Sequence, residues 1–337
     1  MKGPGMKRLL IAIVVIAALW AGYWVFASQT LKSEMEGWFA DRQSEGWVAE
    51  YSALNVSGFP NRVDATFTDL SLADPKSGWA WEAPLFQLLT LSYQPNHIIA
   101  VWPNQQLLAT PDQKLDITAA KLQASVILDT GAALPLNRSN LVADTLTLQT
   151  RDGQATTMTA LRAAIQKTET APNTYQFAIE AEDFAPPMQM RGLLGAAELP
   201  RTFDALRAQV QVSFDDRWDL SSVETRRPQP THIDLTLAEA RWGELELWVA
   251  GAADVDDLGR LTGDVTIKAR NWREIIQMAV NSGQVSRKMG ENLEETLALL
   301  AALAGNPKTL DLPLELRKGT AYLGPVPVGK LPRLELR

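Results

Sequence analysis

Hydrophobic and polar positions along this chain follow two regimes. The first is a run of 19 uncharged residues from Leu9 to Ala27, preceded by Lys2, Lys7 and Arg8 and ending in a cluster of Trp20, Tyr23, Trp24 and Phe26. As a helix this run rises about 29 Å, the thickness of a hydrocarbon core, so it predicts a membrane span. Flanking cations stay cytoplasmic and amphipathic rings favour the membrane–water interface. The expected topology is therefore single-pass in the inner membrane, with the N-terminus inside and residues 28–337 in the periplasm. Val25-Phe26-Ala27 also has the spacing of a leader-peptide cleavage site before Ser28. The length of the run and the lack of a polar stretch before that site favour a retained anchor over a cleaved leader. Leu31–Gly46 reads as a helix continuing the anchor.

The second regime is alternation. Val63, Ala65 and Phe67 alternate with polar residues, as do Tyr175, Phe177 and Ile179, then Leu206 to Phe214, and Ile233, Leu235 and Leu237. Leu261, Val265 and Ile267 repeat the pattern, and so do Leu310, Leu312, Leu314 and Leu316. A period of two with one apolar face predicts antiparallel strands wetted on one side. Short gaps at Asp152-Gly153, Ala171-Pro172-Asn173, Trp242-Gly243, Leu258-Gly259 and Lys318-Gly319 predict the hairpins of a meander. The expected fold class is mainly β: a transmembrane helix followed by a large antiparallel, curved β-sheet ectodomain. Ala155–Gln166 fits strand or helix. Residues 183–200, with Pro186, Pro187, Gly192, Gly195 and Pro200, read as a junction or mobile loop. Two late helices should pack on the sheet. The first is capped by Asn271, with Glu274 at capping-box spacing, and breaks at Asn281–Gly283. The second runs from about Gln284 to Ala304, stopped by Gly305, with Val285, Met289, Leu293, Leu297 and Leu300 on one face. Its end, Leu297–Leu303, is apolar all round and predicts burial in the sheet's concavity.

Composition narrows the function. The chain has no cysteine, which removes thiol catalysis and thiolate metal sites. After Ala27 stand 39 acidic against 29 basic residues, a net charge of −10 that disfavours nucleic acid as a partner. His97 and His232 are the only histidines. His232 shares its strand's polar face with Asp234, and neither histidine has metal-ligand spacing. Asp254, Asp256, Asp257 and Asp264 are dense, but Leu258 and Val265 fall where a calcium loop needs oxygen ligands. No Gly-x-Ser-x-Gly elbow or phosphate loop occurs. We therefore expect no catalytic residues, no metal and no cofactor. Among eleven tryptophans, Trp79 and Trp81 share one strand face, and Trp248 falls on a polar one.

Gly58-Phe59-Pro60-Asn61-Arg62, Gly259-Arg260-Leu261-Thr262-Gly263-Asp264 with Asn271-Trp272, and the Gly319–Pro332 stretch containing Leu323-Gly324-Pro325-Val326-Pro327-Val328 resemble the bacterial envelope family known as domain of unknown function 2125. That resemblance implies no activity. In architecture the chain also resembles AsmA-like envelope proteins, which implies long sheets with lipid-accommodating grooves. The resulting expectation is a non-enzymatic envelope protein that holds lipid or another apolar ligand along the sheet, with membrane lipids as its partners. The candidate contacts are Trp79, Trp81, Trp248, Val265, Ile267 and Leu297. The alternative is a membrane-anchored scaffold acting through protein partners.

Overall fold

The apolar run and the stretch after it form one continuous helix, α1 (Pro4–Ser44), in the computed structural model. At about 1.5 Å per residue, its 41 residues reach about 60 Å, twice a hydrocarbon core. Its first half is apolar all round and exposed. Among the described residues it is the one helix long and apolar enough to cross a membrane, with a mean hydropathy of 2.4. Its second half changes character: Leu31, Met35 and Phe39, spaced by four, face the protein. The structure describes residues 4–169, 171–224, 226–303 and 306–336. These divide into two units, one up to Ile127 and one from Leu128 onward. Residues 183–200 lie within the second.

The first unit adds eight strands to α1: β1 (Val48–Glu50), β2 (Ala53–Ser57), β3 (Arg62–Asp74), β4 (Trp79–Leu91), β5 (Gln94–Val101), β6 (Gln105–Ala109), β7 (Lys114–Thr118) and β8 (Lys121–Leu128). All pairings within it are antiparallel; β3 lies beside β1, β2 and β4, while β4 also pairs β5 and β6. The core joins Phe39 of α1 to Ala49, Ala65, Phe67 and Leu70. Phe39 stacks on Phe67 at 5.4 Å between centroids. The helix that carries the apolar run is thus also the helix that closes this core.

The second unit is a ten-stranded meander in which each strand pairs with the next. Its strands are β9 (Leu136–Thr150), β10 (Ala155–Lys167), β11 (Thr174–Glu182), β12 (Ala205–Phe214), β13 (Pro230–Trp242), β14 (Leu245–Val255), β15 (Leu261–Arg270), β16 (Thr309–Arg317), β17 (Thr320–Leu323) and β18 (Val326–Lys330). Short helices α2 (Met188–Leu194) and α3 (Leu220–Glu224) join β11 to β12 and β12 to β13. Helices α4 (Trp272–Asn281) and α5 (Arg287–Leu303) lie between β15 and β16. Residues 155–166, open between helix and strand, are β10, paired along both edges. The chain is mainly antiparallel β with a long N-terminal helix and two late helices, as the pattern predicted.

Several local expectations are corrected. Leu237 was assigned to the apolar face of its strand. A β-bulge at Thr236-Leu237 inserts one extra residue, so Leu237 pairs with Gln209 on the polar side while Ala238 pairs with Ala208. Asn271 does precede α4, but no capping box forms. Its backbone is left-handed (φ 52°, ψ 47°) and its side-chain amide donates to the carbonyl of Glu244 at 2.7 Å. In α5 the buried positions are Leu297 and Ala301, with Leu293 half-buried. Leu299 is 70 % exposed, and Met289 and Leu300 face solvent, so the helix is not buried all round. Apolar composition says nothing of direction; only one stripe meets the sheet. Ala304 and Gly305, the expected end and stop, lie outside the described residues.

Candidate functional site

Alternation along each strand and register across strands combine in the second unit to make one apolar face. Two transverse rows run across its middle: Ile179–Ala208–Ala238–Val249, and Ala181–Leu206–Ala240–Leu247. Each of β11, β12, β13 and β14 thus supplies two residues, and six of the eight (Leu206, Ala208, Ala238, Ala240, Leu247 and Val249) are half-buried. They line a shallow apolar groove of about 230 Å³. Ile179, at its edge, is 49 % exposed. The bulge in β13 matters here. Without it Leu237 and Glu239 would point into the groove; with it the small Ala238 and Ala240 form the floor.

Packed material borders the groove. Toward β15 and β16, Trp272 of α4 and Leu297 and Ala301 of α5 bury Ala269 and Leu310, with Leu247 packed beside them. Trp272 is anchored by its indole N–H, which donates to the carbonyl of Pro307 at 3.1 Å. At one set of strand ends, Trp242 stacks on Phe203 at 4.4 Å and donates from its indole to Pro200 O at 2.7 Å. At the other, Val328 and Leu331 pack on Ala253, Leu316 and Ala321. A second cleft of about 360 Å³ lies between α5 and the β17–β18 hairpin, lined by Met289, Leu293, Leu297, Leu323 and Val328 among others.

The opposite face of the same sheet is a row of alternating charge. Register carries it from Arg162 through Glu180, Arg207, Glu239, Trp248 and Lys268 to Asp311. Opposite charges directly across strands stabilise a sheet. Glu239 is the buried member. Burial pushes its carboxyl pKa up, but Arg207 at 2.6 Å and Arg241 at 2.8 Å outweigh that and hold it below the usual range. Of the Asp254–Asp264 group, Asp256 holds the β14–β15 turn. The Arg260 guanidinium and the backbone N–H groups of Arg260 and Leu258 bind the Asp256 carboxylate and bring its pKa to about 2. His232 meets Asp254 across the strand at 2.7 Å, not Asp234 two residues along its own strand. Among the described residues no three His, Asp or Glu side chains gather as a metal site would need.

The sequence-derived contacts scatter. Ile267 continues the first row of the groove, next to Val249. Val265 lies on the same face but under the C-terminal cover, beside Leu261. Leu297 is core. Trp248 sits on the charged face between Glu239 and Lys268. Trp81 belongs to the first unit's core, edge-on to Phe86 at 5.2 Å with its indole on Gln106, while Trp79 is exposed at the end of β4. Of the groove's alanines, Ala208 reads in the sequence as part of the apolar Leu206–Phe214 alternation, but nothing in the sequence marks any of them as a site.

A family model described as an uncharacterized protein conserved in bacteria, domain of unknown function 2125, matches residues 24–332. The chain belongs to that family. No curated protein and no solved structure matches it. The family match spans nearly all of both units, from the aromatic end of the apolar run to the C-terminal cover. The Gly259–Asp264 segment that resembled the family is the Asp256 turn. Gly259 is forced there: its φ is +70°, and a Cβ would stand 2.7 Å from Leu334 O.

Proposed function

We propose that this chain is a non-enzymatic envelope protein, held in the inner membrane by α1 with its bulk in the periplasm, and that the open groove over β11–β14 accommodates acyl chains of membrane lipid. The observation that carries this reading is the pair of rows whose alanines leave the middle of an apolar face uncovered while its borders are packed. A sheet face of this kind is ordinarily filled by a second layer. The groove is smaller than the ~300–1,000 Å³ of sites that enclose compact ligands. It suits a linear apolar segment lying along an open surface. Among the described residues no constellation of nucleophile, base and oxyanion donors accompanies it, and Arg207, Glu239 and Arg241 nearby are engaged in ion pairs on the other face.

Photocrosslinking tests the proposal. Membranes holding the full chain are supplied with phospholipid bearing a diazirine in its acyl chain, and crosslinked peptides are mapped. Peptides of β11–β14 should be labelled as well as those of α1. Ala208→Glu should cut the β11–β14 labelling about tenfold or more, because a carboxylate against an acyl chain costs over ~1.4 kcal/mol. Labelling of α1 should persist. Ala208→Leu, an apolar plug, should do the same without adding charge. Labelling confined to α1 would overturn the lipid reading. The scaffold reading would then gain from the outward face of α5, where Met289, Leu299 and Leu300 offer an apolar strip to a protein partner.

A further inference from the structure

The first unit meets the end of the apolar run through two hairpin tips. The β2–β3 tip is Gly58-Phe59-Pro60-Asn61, and the β4–β5 tip is Ser92-Tyr93. The indole N–H of Trp20 donates to Pro60 O at 2.9 Å, and that of Trp24 to Arg62 O at 2.6 Å. The Tyr23 hydroxyl donates to Ser92 O at 2.8 Å. The Trp24 ring meets Phe59 edge-on at 5.5 Å between centroids.

Depth follows from position on the helix. Trp20, Tyr23 and Trp24 stand three to seven residues before Ala27, the end of the uncharged run, so they lie about 5–10 Å inside it. A carbonyl bonded to an indole at that level is at that level too. The tips therefore sit beside the outer part of the membrane-spanning stretch, not above it.

The chemistry of the tips matches such a place. Backbone polar groups within a bilayer must find partners in the protein, and several at the tips do. Beyond the three bonds to α1, Ser92 N–H donates to Asn61 O at 2.9 Å, Arg62 N–H to Gly58 O at 2.8 Å, and the buried Ser92 hydroxyl to Pro60 O at 3.2 Å. The Arg62 guanidinium is paired with Asp64 at 2.8 Å. The tips present rings outward: Phe59 is 56 % exposed and Tyr93 is 65 % exposed. Aromatic side chains on a backbone many of whose polar groups are paired within the protein fit the membrane interface.

We propose that the β2–β3 and β4–β5 tips are seated in the periplasmic leaflet, with Phe59 and Tyr93 inserted among its lipids, so that the first unit rests on the bilayer through three elements instead of hanging from a single helix. The occupant of this surface is the lipid of the membrane that α1 crosses. The inference rests on the anchor reading and is independent of the groove.

The absence of native cysteine makes the test direct. Full-length single-cysteine variants Val15→Cys, Phe59→Cys, Tyr93→Cys and Lys76→Cys are labelled with bimane. They are reconstituted in vesicles of phosphatidylethanolamine and phosphatidylglycerol, then quenched by lipid-borne nitroxide or by aqueous iodide. Lys76, on the β3–β4 turn, reports bulk water. The expected result is lipid-borne quenching at positions 59 and 93 several-fold above that at 76, with iodide quenching correspondingly reduced. Asn61→Cys leaves both rings in place and should give the same result, so a disturbance caused by replacing Phe59 is recognisable. Labels at 59, 61 and 93 that behave like the label at 76 while position 15 is lipid-quenched would overturn the proposal. Iodide quenching at position 15 would remove the anchor reading and this proposal with it, leaving the groove to its own test.

Discussion

Glu239 is a buried carboxylate held between two arginines on the charged face of the sheet. Its side chain is 6 % exposed, whereas Arg207 and Arg241, which flank it, are about half exposed and reach water. Burial alone would favour the neutral acid; the two guanidinium groups reverse that and depress its folded pKa. A depressed folded pKa contributes stability that is present above the unfolded value, near 4.3, and lost as pH falls through the folded one. Replacing both partners, as Arg207→Met with Arg241→Met, strands a buried carboxylate. The expected cost at pH 7 is about 3 kcal/mol. With its partners gone, burial governs and the folded pKa rises above the unfolded value, so the sign of the linkage inverts. The double variant should recover relative to wild type as pH falls below about 5, whereas the wild type loses stability there. Thermal melts of the full chain in detergent between pH 4 and 8 read this out. Parallel pH profiles for the two proteins would mean that Glu239 is neutral or hydrated in the wild type. The sequence does not reveal this arrangement: Arg207 and Glu239 are 32 residues apart, and only the register of β12 on β13 brings them together.

Elements were far more legible than their exceptions. Period-two alternation is a local property, and it located β3, β11, β12, β13, β15 and β16, with the inward residues of β13 correct only up to Leu235, because each strand buries one face whatever its neighbours are. The β13 bulge escaped, since one inserted residue leaves the composition of the strand unchanged while reversing every position after it. That reversal makes the groove: Ala238 and Ala240 turn in, Leu237 and Glu239 turn out. Helix α5 shows the same limit. Its helical spacing was plain, but among seven apolar neighbours nothing local says which stripe meets the sheet. The structure chooses Leu297 and Ala301, and two substitutions check the choice. Leu297→Asp buries an unpaired charge against Trp272 and Leu310 and should cost about 4 kcal/mol, lowering the thermal midpoint severely. Leu299→Asp, two residues on, places the same charge in solvent and should stay within about 0.5 kcal/mol of wild type. Equal effects would mean that the helix is not seated as described. The contrast also separates roles, because Leu299→Asp would leave the fold intact while disturbing any partner bound to the outward strip.

For the whole molecule the deciding contacts are those between α1 and the first unit, made across 38 to 69 residues of sequence and so invisible to any window on it. They bear on whether the span is kept. Cleavage before Ser28 would cut an unbroken helix at a buried residue whose hydroxyl donates to Val25 O. It would strip the indole and phenol donors from the carbonyls of Pro60, Arg62 and Ser92, leaving Pro60 O only its bond from the Ser92 hydroxyl. An unpaired backbone acceptor is costly wherever water does not replace the lost donor. Leu31, Met35 and Phe39 would meanwhile remain in the core, so a cut would sever one continuous helix between its apolar half and its packed half. We therefore expect the mature protein to keep its first 27 residues. Intact mass of the protein extracted from membranes should include them, and a reporter active only in the periplasm should work when fused after Arg337. A soluble species beginning at Ser28 would show that the helix is a leader after all, and a cytoplasmic signal from the fusion would invert the topology. Either result would leave the antiparallel sheets and the groove as described, but the first would take away the membrane contact through which acyl chains are proposed to reach them, and the second would remove the periplasmic placement on which the proposal rests.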